Sequence, residues 1–131
     1  MITINGKDAV LGRLAQFAAK EALKGEEISI VNCEEIMITG SRKDILEKFW
    51  ESRQRTGSSQ MGPQISRLPE RIVKRAIRGM LPEVRKGGRG KEAFQRIKCY
   101  VGVPKQFENS KMIEMPEQKH KFIKVKELAK R

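Results

Sequence analysis

The sequence predicts an α/β protein, with helices alternating with the strands of a mainly parallel sheet. Short strand-like stretches recur along the chain, at Ile2-Thr3-Ile4, from Ile28 to Val31 and at Lys98-Cys99-Tyr100-Val101. Stretches with apolar residues at helical spacing separate them. The order β-α-β-α, then α-β, is that of layered α/β domains. At 131 residues and 38% hydrophobic, the chain fits one domain with one core over 1–131, residues 116–131 forming a basic tail.

Each element has its own signal. Ile2-Thr3-Ile4 alternates as a strand does, and Asn5-Gly6 makes a turn. Asp8 is placed to cap a helix in which Val10, Leu11, Leu14, Phe17, Ala18 and Ala22 share a face, and Gly25 stops it. Ile28-Ser29-Ile30-Val31 reads as a strand covered on both faces. Ile36-Met37-Ile38 is a further apolar run. Ser41 with Asp44 resembles a capping box before a second amphipathic helix carrying Ile45, Leu46, Phe49 and Trp50. Residues 52–66 read as a long loop. Pro69 opens a third helix expected to reach Leu81 and stop at Pro82. A glycine-rich loop follows, then one or two helical turns from Glu92 to Ile97 and the strand at 98–101. The rest is polar apart from Phe122-Ile123-Lys124-Val125.

Charge carries the functional signal. The chain has 28 basic and 16 acidic residues, a net charge of +12, and a protein this basic calls for an anionic partner. The excess is concentrated: residues 52–91 hold 11 basic and 2 acidic groups, while residues 1–51 hold 7 and 9. Eight of those 11 are arginine, whose planar fork suits bidentate phosphate contacts. On the third helix Arg71, Lys74, Arg75 and Arg78 recur at i, i+3, i+4 and i+7, opposite Ile72, Val73, Ala76, Ile77 and Met80. That apolar face is small and β-branched, suited to a core and not to anchoring in a membrane. Aromatic residues are 5% of the chain and mostly at core spacing, so the expected reading is of RNA backbone and shape, not of bases.

Other chemistries fit poorly. No stretch approaches the ~20 apolar residues of a membrane span, and the N-terminus lacks a secretory pattern, so a cytoplasmic location is expected. Cys33 and Cys99 form no CxxC pair and are expected as buried reduced thiols. With His120 as the one histidine, no metal site is expected. Gly90-Lys91 is followed by Glu92, and Arg85 stands where a phosphate loop needs its first glycine, which argues against a nucleotide site. Glu34-Glu35 and Asp44 with Glu47 offer carboxylates but no partnered nucleophile. An RNA-processing enzyme and a DNA-binding module are the alternatives to a structural RNA binder.

A set of short motifs is more specific in combination. They are Asp8-Ala9 with Leu11-Gly12-Arg13-Leu14-Ala15, Val31-Asn32-Cys33-Glu34, and Ile38-Thr39-Gly40. Arg55-Thr56-Gly57, Gly62-Pro63, Arg67-Leu68-Pro69 and Arg78-Gly79-Met80-Leu81-Pro82 follow in order. Gly90 with Ala93 and the stretch from Arg96 to Gly102 complete the set. Over Ile2 to about Pro104 the chain resembles the ribosomal protein thirteen family of the large subunit, in its archaeal form. The resemblance implies a three-layer α/β/α domain with a four-stranded parallel sheet. It also implies a non-enzymatic role in binding and assembling large-subunit ribosomal RNA.

The residues expected to meet phosphate are Arg53, Arg55, Arg67, Arg71, Lys74, Arg75, Arg78, Arg85, Lys86, Arg89 and Lys91, with Arg42 and Lys43 in support. The expected partners are large-subunit ribosomal RNA and neighbouring large-subunit proteins, with the chain a monomer in the ribosome and neither membrane nor cofactor involved. Gly79 is read either as a point of close backbone approach or as a tolerated helix-end glycine.

Overall fold

Four consecutive buried residues, Ile28, Ser29, Ile30 and Val31, mark β2 (Ile28–Val31) as an interior strand. The computed structural model describes residues 2–54, 67–85, 87–115 and 121–129, the side chains of Arg53 and Ala129 excepted. On one side β2 pairs in parallel with β1 (Ile2–Asn5), Ile2 facing Ile28 and Asn5 facing Val31. On the other it pairs in parallel with β4 (Ile97–Cys99). A fourth parallel strand, β5 (Met112–Glu114), lies outside β1, giving the order β4-β2-β1-β5. This is the α/β class with a four-stranded parallel sheet that the sequence and the resemblance imply, consistent with three layers.

Two strands depart from expectation. β5 comes from the stretch read as polar remainder; it is an edge strand of three residues, none fully buried, so hydrophobic periodicity scarcely marks it. β3 (Met37–Thr39), from the run at Ile36, does not join the main sheet but pairs antiparallel with β6 (Phe122–Lys124). The chain is deflected after β2 at Asn32, whose φ is 55°, and by a 3-10 turn at Cys33–Glu35. Asn32 Nδ2 donates to Asn5 Oδ1 at 3.0 Å, tying the ends of β1 and β2 together.

Helix α1 (Leu11–Leu23) buries Leu14, Ala15, Ala18, Ala19 and Ala22. Its four buried alanines let it pack closely on α3 (Pro69–Arg78) and α4 (Arg89–Arg96). The expected Asp8 cap is not made: Val10 is the N-cap, without a side-chain cap bond. Asp8 lies three residues before Leu11, too far back for a capping oxygen. Its N–H donates to the Glu35 carbonyl at 3.3 Å. The stop at Gly25 is as expected, with Gly25 N–H donating to Ala22 O and Glu26 N–H to Glu21 O.

The core also gathers Ile4, Ile36, Val73, Ile77, Ile97, Ile123, Val125 and Leu128. Each such side chain contributes about 1.5–3 kcal/mol on burial. The last three come from β6 and α5 (Val125–Ala129), so the stretch from Ile123 to Leu128 contributes to the core. Glu35 holds it there: its carboxylate accepts from Lys124 Nζ at 2.7 Å and Lys126 Nζ at 3.3 Å. The two ammonium groups, Lys124 first, hold the Glu35 pKa below the usual carboxylate range, and Glu35 raises that of Lys124. Glu34 Oε2 accepts from the Gly102 N–H at 3.0 Å. Both acids of the Glu34-Glu35 pair are thus held in structural bonds.

Cys33 is buried and Cys99 half-buried, both free thiols. The neighbouring Cys99 thiol and burial push the Cys33 pKa far above its usual value, which keeps it protonated. Among the described residues, no group of three or more His, Cys, Asp and Glu side chains is arranged to hold a metal ion. No described helix is long and apolar enough to cross a membrane.

Candidate nucleic-acid interface

Helix α3 is the spine of the basic surface. Pro69 sits in its first turn, and it ends at Arg78, not at Leu81. Gly79 is the C-cap with φ −64°, and Met80 and Leu81 continue in turns that bond back to Ile77 and Arg78. The early end moves Met80 off the apolar face, leaving it 46% exposed, while Ile72, Val73 and Ile77 stay in the core. A Cβ at Gly79 would meet nothing closer than the Ala76 carbonyl at 3.6 Å, so it is a tolerated helix-end glycine.

Of the four basic residues on α3, Arg71, Arg75 and Arg78 are exposed. Lys74 is not: it is half-buried, with Nζ 4.7 Å from the centre of the Phe94 ring on α4. Lys74 is therefore committed in part to joining α3 and α4. Arg67 is exposed just before the helix.

The glycine-rich loop divides its glycines between two jobs. Gly87 and Gly88 have φ of +82° and +79°, which carries the chain into the start of α4. Gly90 is buried inside the first turn of α4, where a Cβ would lie 2.7 Å from the Pro82 carbonyl carbon. That glycine allows the close approach of α4 to Pro82. Because α4 begins at Arg89, Arg89 and Lys91 stand on its exposed first turn and not on a loop. Arg85 and Arg78 border one shallow concavity, with Glu83 between them in sequence and also on its wall.

Helix α2 (Arg42–Gln54) packs less closely than its spacing predicts. Ile45, Leu46 and Phe49 are half-buried, and Trp50 is 54% exposed. Arg42 and Lys43 are exposed at its start, Arg42 3.4 Å from the Glu127 carboxylate. The Arg53 side chain, Arg55 and Lys86 lie outside the described residues, as do residues 55–66 and His120.

Between α2 and α3 lies a cavity of about 390 Å³. Leu11, Phe49, Ile72 and Ala76 give it apolar walls, and Gly79 lies at its edge. Lys48, Arg71 and Arg75 are also in its lining, and no carboxylate is. Lys48 was missed from the sequence because α2 mixes both signs of charge, which hides one cation that faces α3. Of the aromatics among the described residues, Phe107 is buried and Phe17, Phe49 and Phe94 pack half-buried against the core, as their spacing suggests, while Trp50 and Phe122 are exposed.

The family described as Ribosomal protein L13 matches residues 1–106. Among similar proteins is the large ribosomal subunit protein uL13 of Methanococcus maripaludis, 49% identical over 107 residues, covering 79% of this chain and 77% of that one. That of Methanosarcina barkeri is 45% identical over 118 residues, covering 89% and 82%. That of Methanocaldococcus jannaschii is 41% identical over 133 aligned positions, covering 99% and 96%. With a family match over most of its length and relatives at this identity and coverage, the chain belongs to the ribosomal protein L13 family.

Proposed function

We propose that this protein is a structural constituent of the large ribosomal subunit that binds large-subunit ribosomal RNA and supports subunit assembly and translation. The family is structural, not enzymatic, and the relatives carry the name of a large-subunit protein. The observation that carries the RNA reading is the outer face of α3. Arg71, Arg75 and Arg78 are exposed on a helix whose other face is locked into the core. A rigid row of forked cations suits a phosphate backbone of fixed spacing. Arg67, Arg85, Arg89 and Lys91 extend the row at both ends. Arg53, Arg55 and Lys86 are further phosphate-contact candidates from the sequence alone, with Arg42 and Lys43 in support. Lys74 contributes less, because it faces Phe94. The protein acts as a single copy in a cytoplasmic ribosome, beside other large-subunit proteins.

Sedimentation of a cell extract tests this. The protein is expected with large subunits at low salt and in the light fractions at high salt, as phosphate contacts are weakened. A protein found in the light fractions at low salt would contradict the proposal.

A further inference from the structure

We infer that the cavity between α2 and α3 receives a single unstacked nucleotide of the bound RNA, its base against Phe49 and its phosphate on Lys48, Arg71 and Arg75. This rests on the RNA-binding reading and adds a contact to a base, which neither the charge pattern nor the family membership assigns. Three observations carry it.

The first is size. About 390 Å³ falls within the range of small-molecule sites, roughly 300–1,000 Å³. The second is the pairing of chemistries. The walls are apolar and include a half-buried aromatic ring, Phe49, while three cations share the lining. A nucleotide has the matching parts, a flat π-face and an anionic group, and unstacked bases in RNA are held by aromatic rings and guanidinium planes. The third is charge balance. Among the described residues no carboxylate is ion-paired with Lys48, Arg71 or Arg75. Other concavities have acids in their walls: Glu27 and Glu92 beside Arg96 and Lys98, Glu83 beside Arg78 and Arg85, and Glu47 beside Arg42 and Lys43. The α2–α3 cavity is the one of these four whose lining holds cations and no carboxylate.

The test binds the full chain to deproteinised large-subunit ribosomal RNA and measures affinity and its salt slope. The complexes are then irradiated with ultraviolet light and nucleotide adducts mapped by fragmentation mass spectrometry. An adduct on Phe49, distinguished from the adjacent Trp50, is expected. Ala76→Phe fills the cavity without changing charge. It should weaken binding about ten-fold, lower the salt slope by no more than about one phosphate contact and abolish the adduct. Phe49→Leu, which adds no bulk, should act in the same direction and decides the matter if Ala76→Phe melts below the assay temperature.

Wild-type affinity in Phe49→Leu, with no adduct at Phe49 in the native chain, would overturn the inference. If a triple glutamine variant at Arg71, Arg75 and Arg78 still lost salt slope in that case, the cavity would take no base but the phosphate reading of α3 would stand. If the triple variant also bound unchanged, the α3 reading itself would fall. A photocrosslink from position 49 to another polypeptide in assembled subunits, and none to RNA, would equally overturn the proposal.

Discussion

Lys74 Nζ lies 4.7 Å from the centre of the Phe94 ring, joining the basic helix α3 to α4 through a cation–π contact. A contact of this kind contributes about 0.5–1 kcal/mol where partly exposed. Lys74→Gln is therefore expected to lower stability by about that much, measured by denaturant unfolding. Its effect on RNA affinity should be smaller than that of Arg71→Gln or Arg75→Gln. An affinity loss for Lys74→Gln larger than for either arginine would show that the side chain leaves Phe94 to meet RNA.

Replacing Arg71, Arg75 and Arg78 together by glutamine should weaken RNA binding and flatten its salt dependence. Each phosphate contact adds close to 0.9 to the slope on duplex, so the loss should reach up to about three contacts' worth. Filter binding across a salt series measures both quantities. The helix should remain folded, because its buried residues Ile72, Val73 and Ile77 are untouched.

Two glycines separated by eleven positions should respond oppositely to alanine. At Gly90 the added Cβ would collide with the Pro82 carbonyl, and the expected cost is about 1–3 kcal/mol. The displaced first turn of α4 would take Arg89 and Lys91 with it, so RNA affinity should fall as well. At Gly79 there is room and an ordinary helical φ, so alanine should be neutral or stabilising by up to about 1 kcal/mol. Thermal unfolding of both variants checks the contrast.

The Glu35 cluster predicts a pH profile. The Glu35 pKa is lowered in the folded chain, so its contribution is present above the ordinary carboxylate pKa near 4.5 and is lost as pH falls through the folded value. The Lys124 pKa is raised, so its contribution is present below the ordinary lysine pKa near 10.5 and is lost as pH rises through the folded value. Glu35→Gln should thus destabilise by about 1 kcal/mol or less on a plateau between those limits, and by nothing in strong acid. Unfolding curves of both proteins over pH measure the difference, which should shrink in high salt.

Much of the fold was legible in local pattern. The alternation at Ile2-Thr3-Ile4, the apolar run at Ile28 and the stop at Gly25 each act within a few residues, and each appears where expected. Helix ends were less legible. Asp8 and Leu81 lie three residues beyond the ends of α1 and α3, since residue type suggests a cap but only the path of the backbone selects it. The exposed arginines of α3 were readable because a single helix presents them. Lys48 was not, because its relevance depends on a second helix packed alongside.

The sequence by itself determined the α/β class, the family, the concentration of arginine in residues 52–91 and the sidedness of α3. These are properties of neighbours along the chain. Tertiary structure decided that β5 completes the sheet, that β3 leaves it to pair with β6, that Gly90 serves Pro82, and that Lys74 turns to Phe94. Each of the four depends on groups brought together from different segments. Their energies come from pairing and packing across space, which no periodicity of two or 3.6 residues records.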